Sequence, residues 1–277
     1  MITIKYFIAF ILSFFSKFNL FKKTNFSIQL FHEIDLIDRK KVESLLSKNK
    51  SLYLNPLDLD LIFNNSLNLK KDHLLLTFDD GFYSNYQIAK KILNPLGIKA
   101  IFFVSTNFIN CDSQNEEKLF IENNFFSGSL PKNLNISKMK SMSWENIIDL
   151  VNDGHSIGSH TKNHLKLSKI KNIKILEEEI LHSAKEIEQK TGFKVKHFAY
   201  PFGDIDSINR KVINMIKTRY KFLFSGLRGK NYLTTNPYAL KRNAINPCDK
   251  LWYNNFLSFG GWSFYYLNRY ERFKKMF

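Results

Sequence analysis

The stretch Leu74-Leu-Leu-Thr-Phe-Asp-Asp-Gly81 limits what this chain can fold into more than any other. Three consecutive leucines without polar alternation describe a strand covered on both faces, the condition of a parallel sheet in an α/β protein. Side chains on a regular strand alternate between faces, so Asp79 and Asp80 can converge on one site only where the strand is already turning, and Gly81 supplies that break. Paired acids at the C-terminal end of a parallel strand occupy the rim on which such folds carry their chemistry. Asp-Gly is also an ordinary turn signal, so the stretch needs partners elsewhere before it speaks about function.

The surrounding pattern supports the parallel sheet. Residues 85–93 have Ile88, Ile92 and Leu93 at helical spacing and end at Asn94-Pro95 and Gly97, and Ala100-Ile-Phe-Phe-Val104 is a second continuous apolar strand. Strand, helix, strand is a βαβ unit. Upstream, Phe26-Ser-Ile-Gln-Leu-Phe31 alternates like a strand and delivers His32 at its end. Residues 39–65 read as a short helix and a polar connection. Downstream, Ser143 caps a helix over 144–152 that Gly154 ends; strands follow at 155–159, 197–200 and 221–224, with helices over 173–187, stopped near Gly192, and 208–217. Repeated alternation over 277 residues predicts one large α/β domain, as a barrel or a doubly wound sheet. Residues 106–142, rich in Asn, Ser and Lys without sustained periodicity, are too long for an ordinary connection and read as a lid or surface insertion.

The termini differ from this domain. Residues 6–15 form an apolar run after Lys5, about half the ~20 residues a bilayer-spanning helix needs. The run has the length of a signal-peptide core, yet no small-x-small cleavage site precedes Lys17, Lys22 and Lys23. Ile4, Phe7, Ile8, Ile11, Leu12 and Phe15 share one helical stripe, which fits equally an interfacial membrane helix and a terminal helix packed on the core. Residues 251–277, aromatic with Arg269, Arg272, Lys274 and Lys275, fit a membrane-surface contact as well as packing on the amino-terminal segment. A formal net charge of +16 invites an anionic partner, but the positive charge is spread along the chain and is consistent with composition alone. No nucleic-acid module is visible, so no nucleic-acid partner is expected. Cys111 and Cys248 are far apart and in no metal-ligand spacing, which leaves at most a single disulfide between them.

His160 and His164 stand four apart in Ser159-His-Thr-Lys-Asn-His164, which puts both imidazoles on one face if the segment takes a helical turn. With one carboxylate from another strand end they make a two-histidine, one-carboxylate set that binds a divalent metal and leaves positions open for water and substrate. A lone pair at this spacing more often holds a packed or solvent-facing histidine; alongside the Asp pair the metal reading is preferred.

Thr77-Phe-Asp-Asp-Gly81, then Ser159-His-Thr-Lys-Asn-His164, then Phe198-Ala-Tyr-Pro-Phe-Gly203 resemble in order and spacing the NodB-homology polysaccharide deacetylases, carbohydrate esterase family four. Ala100-Ile-Phe-Phe-Val104, Met142-Ser-Trp144 and Gly154-His-Ser-Ile-Gly158 look like the family's framework, and the resemblance runs from Phe26 to Ile245. It implies a distorted (β/α) barrel of about seven parallel strands. It also implies metal-dependent removal of acetyl from an N-acetylated sugar in a polysaccharide or lipid-linked glycan. Carried over by position, Asp79 is the general base, while Asp80, His160 and His164 hold one divalent metal, Zn ahead of Co or Ni. Phe202 is the residue whose backbone N–H sits at the developing oxyanion.

Two positions depart from the commoner family pattern. Ala199 stands where many members carry an arginine that orients the base, as in the branch with Phe-Ala-Tyr-Pro-Phe-Gly, and Arg242 is the candidate substitute. The late histidine that supplies the general acid is absent, since no histidine follows His197; Phe31-His32 resembles the early pair that takes this role in that branch, so His32 is the expected acid. His73, His155, His182 and His197 are read as structural. The resulting map is an apolar, basic segment over 1–25, a deacetylase domain over 26–250 with its insertion at 106–142, and an aromatic, basic tail over 251–277. A glycan or glycolipid substrate and an envelope or membrane-associated setting are expected. The alternative is a catalytically silent carbohydrate-binding protein on the same fold.

Overall fold

A computed structural model of the chain describes residues 6, 9, 25–67, 69–131 and 134–277. The anticipated apolar stripe of Ile4, Phe7, Ile8, Ile11, Leu12 and Phe15 lies outside the described residues.

Seven strands form a single sheet: β1 (Phe26–Phe31), β2 (His73–Phe78), β3 (Ala100–Val104), β4 (Ser156–Ser159), β5 (His197–Ala199), β6 (Phe222–Phe224) and β7 (Asn243–Ala244), in the order β6-β5-β4-β3-β2-β1-β7. Every neighbouring pair is parallel, for example Ile28 beside Leu75, Leu76 beside Ala100 and Phe102 beside Ile157. This is the expected distorted (β/α) barrel. Parallel pairing brings the C-terminal ends of the strands to one rim. His32 follows β1 there, Asp79 and Asp80 follow β2, His160 follows β4, and Tyr200 to Phe202 follow β5.

Strand alternation sorts the apolar side chains into two cores. Phe26, Ile28, Leu75, Ile101, Phe103 and Phe224 meet inside the curled sheet, while Leu76, Phe78, Phe102, Ile157, Phe198 and Leu223 face the helical layer. The long unalternating runs in β2 and β3 are thereby explained, because both faces are covered. Strand parity also carries a message for the rim: Leu75, Thr77 and Asp79 share the inward face.

The helices follow the expected periodicities with shifted bounds. Arg39–Lys48 is joined by a second short helix, Asp58–Phe63, within the stretch read as polar connection. Tyr83–Ile88 widens into a π-helical Ala89–Leu93. Trp144–Asn152 starts on a capping box, in which Ser143 Oγ accepts from Asn146 N and Asn146 Oδ1 accepts from Ser143 N, as its sequence suggests. The insertion is more ordered than its composition implies: Thr106–Ile109 and Gln114–Phe120 are helical, and Phe82, Phe108 and Ile121 make a separate apolar cluster beneath it. Residues 251–277 fold onto the domain as Leu251–Ser258 and Leu267–Lys274, with Tyr253, Leu257 and Phe273 buried. Tyr6 reaches this region, donating to Asp249 Oδ1 at 2.8 Å and packing edge-on against Tyr253. Cys111 and Cys248 are both free thiols.

Gly158 on β4 marks the tightest approach in the sheet: a Cβ there would lie 2.4 Å from the Phe103 ring and 3.2 Å from His197 Cβ. Gly158→Ala is therefore expected to lower stability by about 1–3 kcal/mol through overpacking. A reduced urea midpoint with an unchanged m-value is the measurement.

Candidate active site

The paired acids part at the end of β2. Asp79 keeps the strand, its N–H donating to Phe31 O at 2.9 Å, and its side chain continues the inward column. Asp80 leaves it, with φ +76, followed by Gly81 at φ +96. A left-handed non-glycine residue costs on the order of 1 kcal/mol, and here it swings the second carboxylate toward β4. The sequence expectation that adjacent acids converge only through a break in the strand is met by this one residue.

Asp79 is 2% exposed and bound by Arg242, itself 1% exposed. Arg242 Nη1 donates to Asp79 Oδ1 at 2.6 Å and Nη2 to Oδ2 at 2.8 Å, a bidentate fork. The fork is fixed from behind, where Arg242 Nε donates to Ser225 O at 2.9 Å. The guanidinium also lies 5.3 Å from the Phe103 ring centre, at the top of the inner core. The partner of Asp79 is therefore a residue placed just before β7.

Asp80 faces the two histidines. His160 Nε2 lies 3.5 Å and His164 Nε2 3.6 Å from Asp80 Oδ1, with His160 Nε2 at 3.8 Å from Asp79 Oδ2. The segment carrying them is not helical, contrary to the condition attached to the spacing. It is a tight turn with left-handed residues at Thr161 (φ +68) and His164 (φ +56). The rings still meet, 4.9 Å apart, because the turn folds back on itself.

Hydrogen bonds hold that turn at each point. The carbonyls of His160, Thr161 and Lys162 accept from Ser105 Oγ at 3.1 Å, Thr106 N at 3.3 Å and Asn107 N at 3.0 Å. His164 N donates to Thr161 Oγ1 at 2.9 Å. Each ring is also anchored through its far nitrogen: His160 Nδ1 donates to Ala199 O at 2.7 Å, and His164 Nδ1 to Asn124 O at 2.9 Å. Those bonds orient the rings and turn both Nε2 atoms toward Asp80. Two imidazole nitrogens and a carboxylate oxygen within 4.8 Å of one another are a donor set that suits a divalent cation such as zinc.

The electrostatics point the same way. Burial alone would raise the Asp80 pKa, but the adjoining His160 and the fields of His32 and His164 overcome it and hold the carboxyl at about 2. Burial opposes the charged form of His160, yet Asp79 and Asp80 raise its pKa; His164, buried and beside His160, is pushed down to about 4.

The other expected residues sit around this group. His32 is exposed at the end of β1, close enough to influence Asp80. Phe202 is left-handed at φ +63, 44% exposed, with its ring centre 4.9 Å from that of His164. Gly203 follows, where a Cβ would stand 2.6 Å from Gly226 N. The four histidines read as structural stay outside the group: buried His155 accepts from Ala100 N, buried His197 stacks on Phe222, His73 meets Leu52 O and His182 pairs with Glu178 at the surface. Asn124 and Phe125, which touches the His164 ring at 4.8 Å, were not anticipated. Asn124 acts through a backbone carbonyl, which leaves no mark in a sequence.

Comparison with known proteins agrees with this geometry. The polysaccharide deacetylase family model matches residues 66–220, more than half of the chain. The chain belongs to this family, whose members are hydrolases of carbon–nitrogen bonds in acetylated glycans. No curated protein matches the sequence significantly. Among solved structures, the Streptococcus pyogenes deacetylase PplD in complex with acetate is similar at 20% identity and TM-score 0.65, over 86% of this chain and 99% of that one. A polysaccharide deacetylase from Bacillus cereus follows at 21% and 0.62, over 85% and 69%. IcaB from Ammonifex degensii is similar at 17% and 0.58, over 87% and 98%. These likenesses establish a shared fold.

Removing Arg242 would leave the Asp79 carboxylate buried without its partner. Arg242→Met is expected to cost about 3–5 kcal/mol, and Asp79→Asn added to it to recover much of the loss, since no lone charge then stays buried. Chemical denaturation of the two variants is the check.

Proposed function

We propose that this protein removes acetyl groups from an N-acetylated sugar in a polysaccharide or lipid-linked glycan, with one divalent metal, preferably zinc, held by Asp80, His160 and His164. The observation that carries the reading is the division between the two acids of β2. Asp80 faces the imidazoles, and Asp79, tied to Arg242, stands 3.8 Å from His160 Nε2 without belonging to the ligand set.

A metal in this position would lower the pKa of a bound water and polarise the acetamide carbonyl. The chain's own residues supply the rest. Asp79 acts as general base, taking a proton from the attacking water; each carboxylate oxygen keeps a free acceptor site beyond its bond to Arg242. Arg242 holds that carboxylate in place through its bidentate fork. The left-handed turn at Phe202 serves the developing oxyanion through its backbone N–H, and its exposed ring forms one wall above His164. His32, on the solvent side of the site, protonates the leaving amine, and the sugar departs as a free amine with acetate.

The surface near the chain ends suits a substrate at a membrane or envelope. Phe264, Tyr265 and Leu267 are 48%, 65% and 57% exposed, and nearby Arg269, paired with Asp204, lies 5.9 Å from the Tyr266 ring centre. An aromatic surface with cationic neighbours favours anionic lipid headgroups. No described helix is long and apolar enough to cross a membrane.

Acetate release from N-acetylglucosamine oligomers, peptidoglycan fragments and lipid-linked sugars, with and without chelator, tests the reading; no release from any of them, with Zn²⁺, Co²⁺ or Ni²⁺ supplied, would sink it. Asp79→Asn is expected to abolish turnover while metal stays bound. His160→Ala and His164→Ala should lose metal and activity together. His32→Ala is expected to reduce kcat by about 10²–10⁴-fold with metal retained.

A further inference from the structure

The turn between the two histidines carries one residue that neither the ligand set nor the chemistry uses. Asn163 is engaged at four separate atoms. Its N–H donates to Glu179 Oε2 at 2.9 Å and its Nδ2 to Glu179 Oε1 at 2.6 Å. Its Oδ1 accepts from Asn107 Nδ2 at 2.6 Å, and its carbonyl accepts from Asn124 Nδ2 at 2.7 Å. Glu179 is fully buried, a costly place for a carboxylate unless its oxygens are matched by donors, and Asn163 matches one donor to each.

The helix that carries Glu179 is locally deformed to reach the turn. Residues Glu178–His182 are π-helical between the α-helical Ile173–Glu177 and Ser183–Thr191. A π-turn admits an extra residue and is commonly retained where a side chain must be re-aimed at a working site. Glu178 and Glu179 grip successive residues of the turn: Glu178 Oε2 pairs with Lys162 Nζ at 2.7 Å on the outside, and Glu179 takes Asn163 on the inside.

We propose that Glu179, acting through Asn163, is a positioning residue that sets the affinity of the site for its metal. This rests on the metal-dependent reading above. The turn has two left-handed non-glycine residues, Thr161 and His164, each costing on the order of 1–3 kcal/mol, so it relaxes unless its surroundings hold it. Relaxation rotates His164 away from the position that Asp80 and His160 require. The bidentate clasp on Asn163, one residue before His164, opposes that rotation. Asn124 closes the same clasp from the insertion: its side chain binds the Asn163 carbonyl while its own carbonyl orients the His164 ring. Residues 106–142 are thus part of the metal site's support as well as a covering element.

The test is the Zn²⁺ dissociation constant of the metal-free full chain, by competition with a chromophoric chelator, for the wild type, Glu179→Gln and Asn107→Ala. The amide that Glu179→Gln introduces would accept one bond from Asn163 and oppose the other with its own N–H. This substitution is expected to weaken Zn²⁺ binding about 10–100-fold, and Asn107→Ala by a smaller factor. Turnover by Glu179→Gln should fall at limiting Zn²⁺ and return at saturating Zn²⁺ with KM unchanged, a rescue that His164→Ala does not show. Wild-type Zn²⁺ affinity in Glu179→Gln, even with a lowered melting temperature of the metal-free protein, would overturn the proposal and leave Glu179 a purely structural residue. Should Glu179→Gln not fold, Asn107→Ala decides in the same way. A wild-type chain that binds no Zn²⁺, Co²⁺ or Ni²⁺ would instead defeat the metal-dependent reading on which this one stands.

Discussion

Two adjacent carboxylates are buried together at the end of β2, and each is compensated by a different charge. Moving a carboxylate out of water costs several kcal/mol even after relaxation, and placing two side by side adds their repulsion. Asp79 is matched by the guanidinium of Arg242 in a bidentate pair that lies almost wholly inside the barrel. Asp80 is matched by nothing so complete: two imidazoles stand 3.5 and 3.6 Å away, too long for strong hydrogen bonds and suited to an intervening cation. The asymmetry between the two acids comes from one backbone event, the left-handed turn at Asp80, which separates a carboxylate tied to Arg242 from one facing the two imidazoles.

Backbone strain is gathered at this rim. Asp80, Thr161, His164 and Phe202 all take positive φ, and all four lie within the site or beside it. Such conformations persist only where neighbouring bonds over-determine them. The His160–His164 turn meets that requirement with bonds from the Thr106–Ile109 helix, from the π-helical turn at Glu178–His182 and from Asn124 in the insertion. Two parts of the chain, the insertion and the helix around Glu178–His182, therefore converge on a five-residue segment. Their common effect is to fix two ring nitrogens relative to one carboxylate oxygen, which is what a metal site of defined affinity requires.

Much of the architecture was legible along the chain, because the signals were local. Unalternating runs at Leu74–Leu76 and 100–104 read as strands covered on both faces, and the intervening helical period favours a parallel connection. The separate acid and histidine motifs, weak singly, were informative in order and spacing. The insertion was harder to read: its short helices rest on a small aromatic cluster around Phe82 and Phe108, whose members are dispersed in sequence and show no period. The aromatic end of the chain had a similar ambiguity: Tyr253, Leu257 and Phe273 are buried against the domain, while Phe264, Tyr265 and Leu267 stay exposed.

What the sequence by itself determined was the inventory and the rim: a parallel sheet, two acids where a strand breaks, two histidines four apart, and Arg242 as a candidate partner for the first acid. What only the tertiary structure decided was geometry. The histidine pair meets through a strained turn and not a helical one, the fork on Asp79 comes from the strand at the far edge of the sheet, and a buried glutamate on a widened helix holds the ligand turn. Strand and helix periods are written in neighbouring residues, whereas ring orientation depends on backbone carbonyls such as those of Ala199 and Asn124, which every residue possesses and which become specific only when the fold brings them to 2.7 and 2.9 Å from an imidazole nitrogen.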